Sequence, residues 1–274
     1  MWYPGTMWIE TVRQWFNDYV DGFREEAGGL HDLLELKRRH TLRVAANTRK
    51  IAAALGWPAR GVDLAEAVGL VHDIGRFPQY RDHGTFVDAR SVDHGDLGAD
   101  ILARDFVWTD VDPPAREAIV LAVRHHNERG IPDSVPNHAL PLVKVLRDGD
   151  KLDVFAVVRR WTESGKVHEL FPGLAPDGPL DPTILQCVSQ KRTAPYEKVR
   201  TLLDYHLIQV SWVYDLNYAP SHRELVSTGL LDWTLSRLSQ EEEAAPLLAA
   251  ARDHVLAMAG SDGTPGAEGE DEQQ

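Results

Sequence analysis

Apolar residues return every three or four positions along most of this chain, which is the signature of amphipathic helices. Ile9, Val12, Trp15, Phe16 and Tyr19 place one helix over Trp8–Tyr19, and Gly28-Gly29 breaks the chain before the next. Over Leu33–Leu55, the positions Leu36, His40, Val44, Asn47, Ile51 and Leu55 share one face, so His40 points inward with the apolar stripe. Gly56 and Pro58 stop that helix. Leu64–Ile74 is apolar almost all round and predicts a buried helix, with Asp63 as its N-cap and Gly75 as its end. A polar, aromatic loop is expected over Arg76–Val92. His94 then opens a helix, HGDLGADILARDF, and Asp112-Pro113-Pro114 opens another that runs to His125-His126. Gly130–Pro141 reads as a loop and Leu142–Trp161 as a helix carrying Asp148, Asp150 and Asp153. Beyond it, Gly173–Pro182 reads as an exposed loop, and Pro195–Leu216 and Ser221–Ser239 as helices. No strand-like alternation and no internal repeat is found, so the fold class is all-α, a helical bundle with additional C-terminal helices.

Composition narrows the function classes. With 43% hydrophobic residues in 274, the chain can bury a sizeable core, and residues 1–259 are expected to form a single all-helical domain. Residues 260–274, GSDGTPGAEGEDEQQ, lack large apolar side chains and have the composition of an acidic disordered tail. A formal net charge of −13 argues against a nucleic-acid partner, which needs a dense Lys/Arg surface. The lone cysteine, Cys187, permits no intrachain disulfide or cysteine zinc cluster and is consistent with a reducing, cytoplasmic setting. No apolar run is long enough for a membrane span, and Met1–Glu10 lacks the pattern of a secretory signal, although Met7 is an alternative start.

The histidines carry the chemical signal. His40, His72, His94, His125 and His126 each fall on or near the end of a predicted helix, as do Asp73 and Asp150. Buried carboxylates are costly unless paired or metal-bound, and imidazoles and carboxylates converging from separate helices are what a divalent metal requires. Helix neighbours point about 100° apart. His72 and Asp73 therefore reach one ion only at a helix end or bend, which Gly75 supplies. An HD dipeptide alone is a weak signal, since His31-Asp32 is another and reads as surface.

The order is stronger: H at 40, HD at 72–73, H at 94, HH at 125–126, D at 150. Five segments, LKRRHTLRVAANTRKIA, VGLVHDIGRF, SVDHGDLGADIL, AVRHHNERGIP and LRDGDKLDVF, resemble the corresponding motifs of the HD superfamily of metal-dependent phosphohydrolases. The resemblance, of HDIG type, spans about residues 33–158. It implies that His40, His72, Asp73 and Asp150 hold a primary metal. Asp73 would bridge to a second metal, for which His94, His125 and His126 are the further ligands. The cofactor so implied is one or two divalent ions among Mn, Mg, Co, Ni and Fe. The chain departs from the family in three places. Gly149 stands where Ala is common, Leu36 where trinuclear relatives place Glu, and NERGIPD follows His126 in place of a GYP signature, which makes cyclic dinucleotides a poorer fit.

The implied activity is hydrolysis of a phosphomonoester or phosphodiester of a nucleotide or other small metabolite by metal-activated water. Arg76 is the first candidate to bind phosphate, followed by Lys151, with Arg43 and Arg147 below them; Asp148 is a candidate general acid. Specificity is expected in the loops Arg76–Val92 and Gly165–Pro182, with Phe77, Tyr80 and Phe86 the better-placed aromatics. Two other readings compete: a di-iron oxygenase on the same fold, and a non-catalytic nucleotide-binding regulatory module. The expected partner is a small phosphorylated molecule, with no membrane; a homo-oligomer is left open.

Overall fold

The computed structural model describes residues 5–26, 28–109 and 111–261, and among them it contains α-helices and short 3-10 turns but no strand. The helices are α1 (Gly5–Asp21), α2 (Asp32–Ala54), α3 (Ala59–Val71), α4 (Arg76–His83), α5 (His94–Asp105), α6 (Pro113–His125) and α7 (Leu140–Glu163). After these come α8 (Val167–Leu170), α9 (Pro182–Ser189), α10 (Leu202–Trp212), α11 (Ala219–Ser227), α12 (Leu230–Ser236) and α13 (Ala245–Gly260). No helix among the described residues is long and apolar enough to cross a membrane. The tail expected over 260–274 lies outside the described residues from 262 onward, and Gly260 itself closes α13.

Local chemistry accounts for many of the helix starts. Asp112 caps α6 and Asp181 caps α9, each followed by a proline in the first turn, where a missing N–H costs nothing. Thr201 and Asp204 form a reciprocal capping box at α10. Asp93 caps α5 by accepting from the amides of Gly95 and Asp96. Asp63 is not the cap of α3. That helix begins one turn earlier, after Pro58, and Asp63 lies within it, paired to Arg49 at 3.2 Å.

The α2, α3 and α7 helices pack on one another at the centre, with α1 against α3, α6 against α3 and α7, and α5 against α6. Gly69 and Gly149 let these central helices touch. A Cβ at Gly69 would meet the Ala45 backbone at 2.5 Å, and one at Gly149 would meet the Thr48 methyl at 2.7 Å. Residue 149 is therefore glycine here because α2 leaves no room for the more common alanine.

Elsewhere the sequence reading needs correction. The first half of the expected loop 76–92 is helix α4, held by a fully buried Phe77 and ended by Gly84 at φ +65°. The segment 221–239 is split into α11 and α12 by Gly229 at φ +68°, and α9 and α13 are additional helices. His31 is part-buried rather than surface, capping α2 and meeting the Tyr80 hydroxyl at 3.2 Å. One connected core runs from Ile9 through the central helices to Val255.

A candidate two-site metal centre

The HD pair sits in the turn between α3 and α4, residues 72–75, so the bend that lets adjacent side chains serve one centre is present. This turn is pinned from two sides. The Tyr19 hydroxyl of α1 donates to the Ile74 carbonyl at 3.1 Å, and a Cβ at Gly75 would lie 2.2 Å from the carbonyl oxygen of His94. His40 comes from the buried face of α2, Asp150 from α7, His94 from the first turn of α5 and His126 from the end of α6.

Six of these side chains converge. His40 Nε2 lies 3.1 Å from Asp150 Oδ1, 3.4 Å from His72 Nε2 and 3.5 Å from Asp73 Oδ2. His72 Nε2 is also 3.5 Å from Asp73 Oδ2. The other oxygen of Asp73, Oδ1, faces His94 Nε2 at 3.5 Å and His126 Nε2 at 3.9 Å, and these two imidazoles approach each other to 3.1 Å. Asp73 thus stands between two imidazole pairs, one at each oxygen.

The donor set fits a metal by a test independent of that convergence. In all four histidines Nδ1 already faces an acceptor, which leaves Nε2 as the inward, lone-pair nitrogen. His72 Nδ1 meets the Gly69 carbonyl and His126 Nδ1 the Val123 carbonyl, both at 2.7 Å. His40 Nδ1 meets Asp153 and His94 Nδ1 meets Asp88, again at 2.7 Å. Burial holds the His72, His94 and His126 imidazoles below their ordinary range, so they stand neutral as ligands must. Burial and Lys37 push His40 down as well, but its hydrogen bonds to Asp150 and Asp153 outweigh them and raise it. Burial alone would raise Asp73, yet Lys37, His72, Arg76 and His94 hold it well below the carboxylate range.

His125 stands apart. Its ring turns outward to Glu128 at 2.6 Å, because its neighbour on the last turn of α6 takes the inward direction. Asp148 is also displaced from the expected role. It is fully buried and accepts from the Asn217 amide and side chain, the Tyr218 amide and Ser221 Oγ, so it fastens α7 to residues 217–221. Arg76 lies beside the cluster, its Nε 3.5 Å from Asp73 Oδ1, but its Nη1 is committed to Gln79, the Phe86 carbonyl and Asp88. Arg43 grips Asp153 with two nitrogens. Of the expected aromatics, Phe77 is core, Tyr80 meets His31, and Phe86 lies under Lys37 and Arg76.

Sequence reasoning missed several participants. Lys37 donates to Asp73 Oδ2 at 2.7 Å, and its i, i+3 spacing from His40 on α2 was a readable signal. Asp153, spaced likewise from Asp150, offered the same signal. Asp88 did not, because a loop brings it to His94. A cleft of about 350 Å³ opens beside the cluster, touching His126 and Asp150. It is lined by Lys151 and Arg147 and by Thr193, Tyr196, Trp212 and Asp215 of the second half. Neither 76–92 nor 165–182 lines it.

Among families of known proteins, the HD domain model matches residues 38–154. No curated protein and no solved structure matches the chain. The match contains every converging donor, and the family and the donor cluster together point to metal-dependent hydrolysis.

Proposed function

We propose, from the premise that residues 38–154 of this chain form an HD domain, that the protein hydrolyses a phosphomonoester or phosphodiester of a nucleotide or other small metabolite. The observation that carries this reading is Asp73, whose two oxygens face separate imidazole pairs. His40, His72, Asp150 and Oδ2 of Asp73 would hold one divalent ion; His94, His126 and Oδ1 would hold a second. Such ions, when bound, lower the pKa of coordinated water and neutralise charge on a phosphoryl oxygen.

The remaining work falls to the chain itself. Asp153 and Asp88, with the Gly69 and Val123 carbonyls, fix the orientation and tautomer of the four imidazoles. Lys37 and Arg76 place positive charge beside Asp73 and so keep its carboxylate ionised. Burial of the cluster lowers the local dielectric and strengthens each of these interactions.

The test is elemental analysis of gently purified wild type and Asp73→Ala. About two equivalents of metal are expected in wild type and a loss in the variant. A phosphoester panel with Mn, Mg, Co or Ni should then show turnover. Bound iron with oxygen consumption and no hydrolysis would replace this reading with an oxygenase. Retained metal without turnover would favour a regulatory module. No metal in either protein after reconstitution would overturn the centre.

A further inference from the structure

The cleft beside the centre has a floor whose charge the cluster does not use. Arg147 is only 1% exposed. Its Nη1 donates to the carbonyls of His125, His126 and Glu128, and its Nη2 to Asp215 at 2.6 Å, while its Nε has no partner. Lys151 Nζ reaches the same Asp215 oxygen at 2.7 Å. With Asp150, the other carboxylate of the floor, committed to the proposed metal, the two cations share Asp215. At the rim, Arg129 faces Glu197 at 3.6 Å. A buried cation without a counter-ion of its own is costly, and an anionic ligand beside Lys151 would offset that cost.

The facing wall supplies a further donor. Tyr196 is 55% exposed and packs on Tyr205, which is 4% exposed. The rings meet edge to face, with centroids 5.8 Å apart. Tyr196 is on the lining of the cleft, so its phenol is a donor available there. Trp212 completes the wall, held edge-on by Phe155 and Tyr205.

We infer that Lys151 and the Tyr196 hydroxyl bind an oxyanion of the substrate over the buried Arg147 guanidinium, and that Trp212 packs against the organic group attached to it. This rests on the phosphohydrolase reading and adds a substrate class: a compact, monomeric phosphoester with an apolar or aromatic body. At about 350 Å³ the cleft is near the small end of the range for ligand pockets, roughly 300–1,000 Å³, which suits a monomer and not a polymer. Lys151 and Tyr196 are thereby substrate-contacting residues, whereas Asp215 and Tyr205 position them.

The experiment titrates inorganic phosphate into metal-loaded wild type, Lys151→Met and Tyr196→Phe by calorimetry, with bound metal measured on the same samples. Phosphate affinity should fall about tenfold or more for Lys151→Met and about threefold or more for Tyr196→Phe, with metal content unchanged. Tyr196→Phe keeps its ring on an exposed wall, so it guards against a folding defect in Lys151→Met. In Trp212→Leu, KM for p-nitrophenyl phosphate should rise several-fold while phosphate affinity holds. Wild-type phosphate affinity in both Lys151→Met and Tyr196→Phe would overturn the oxyanion site and leave the hydrolase reading standing. Metal-loaded wild type that neither binds phosphate nor cleaves any phosphoester would overturn both.

Discussion

Two adjacent histidines at the end of α6 meet opposite fates, and the difference is one of rotation. The His126 ring is locked inward by the Val123 carbonyl, whereas His125 pairs with the exposed Glu128. An exposed pair of that kind contributes about 0–1 kcal/mol. His126→Ala should therefore lower metal content by about one equivalent, and His125→Ala should leave it unchanged, as read by elemental analysis. Loss on His125→Ala would reverse the assignment. The family resemblance named both His125 and His126 as ligands, and chain order does not separate them, because their directions turn on the phase of a helix's last turn, where helical geometry is least regular. Asp148 and Asp150 are a similar case. Both are acidic residues on α7, but two residues along a helix is about 200°, just over a half-turn, so they face different layers.

At the scale of elements, the crossing of α2 and α7 sets the distance between His40 and Asp150. Asn47 Nδ2 donates to the Gly149 carbonyl at 3.0 Å across this contact. Gly149→Ala would gain about 1 kcal/mol of helix propensity but force a methyl against Thr48, an overpacking cost of about 1–3 kcal/mol. We expect a net loss of stability of about 1 kcal/mol in denaturant unfolding, recovered when Thr48→Ser removes the opposing methyl. A stabilised Gly149→Ala single variant would contradict the close contact. Long helices with regular apolar stripes, such as α2 and α7, were legible from the sequence to within a few residues. The short ones were not. Phe77 anchors only two turns of α4, Gly229 divides what reads as one helix, and α9 is too brief for periodicity to stand out.

In the whole molecule, the second half furnishes one wall of the cleft and the acceptors and donors that hold α7. None of this was legible in the chain order, since Tyr196, Trp212 and Asp215 reach the site only through tertiary packing. The same half carries an acid sensitivity. Burial pushes His206 and His222 down to about 4, below their ordinary value of 6.5. Between those two pH values the unfolded chain binds more protons than the folded one, so stability falls as pH falls. Near pH 5 the share of each histidine is on the order of 2 kcal/mol. His206→Gln should therefore show a smaller drop in Tm between pH 7 and pH 5 than wild type. An identical drop would mean that His206 is already protonated in the fold or sheltered from titration.

The joint at Gly75, where the turn bearing His72 and Asp73 rests directly on the His94 carbonyl, separates what can vary from what cannot. No side chain of any size fits there, so the metal-binding half offers almost no room for drift. On the facing wall, Thr193 and Tyr196 line the cleft from positions that are not buried. A lineage built on this scaffold is free to exchange one substrate for another by altering that wall while its chemistry stays fixed.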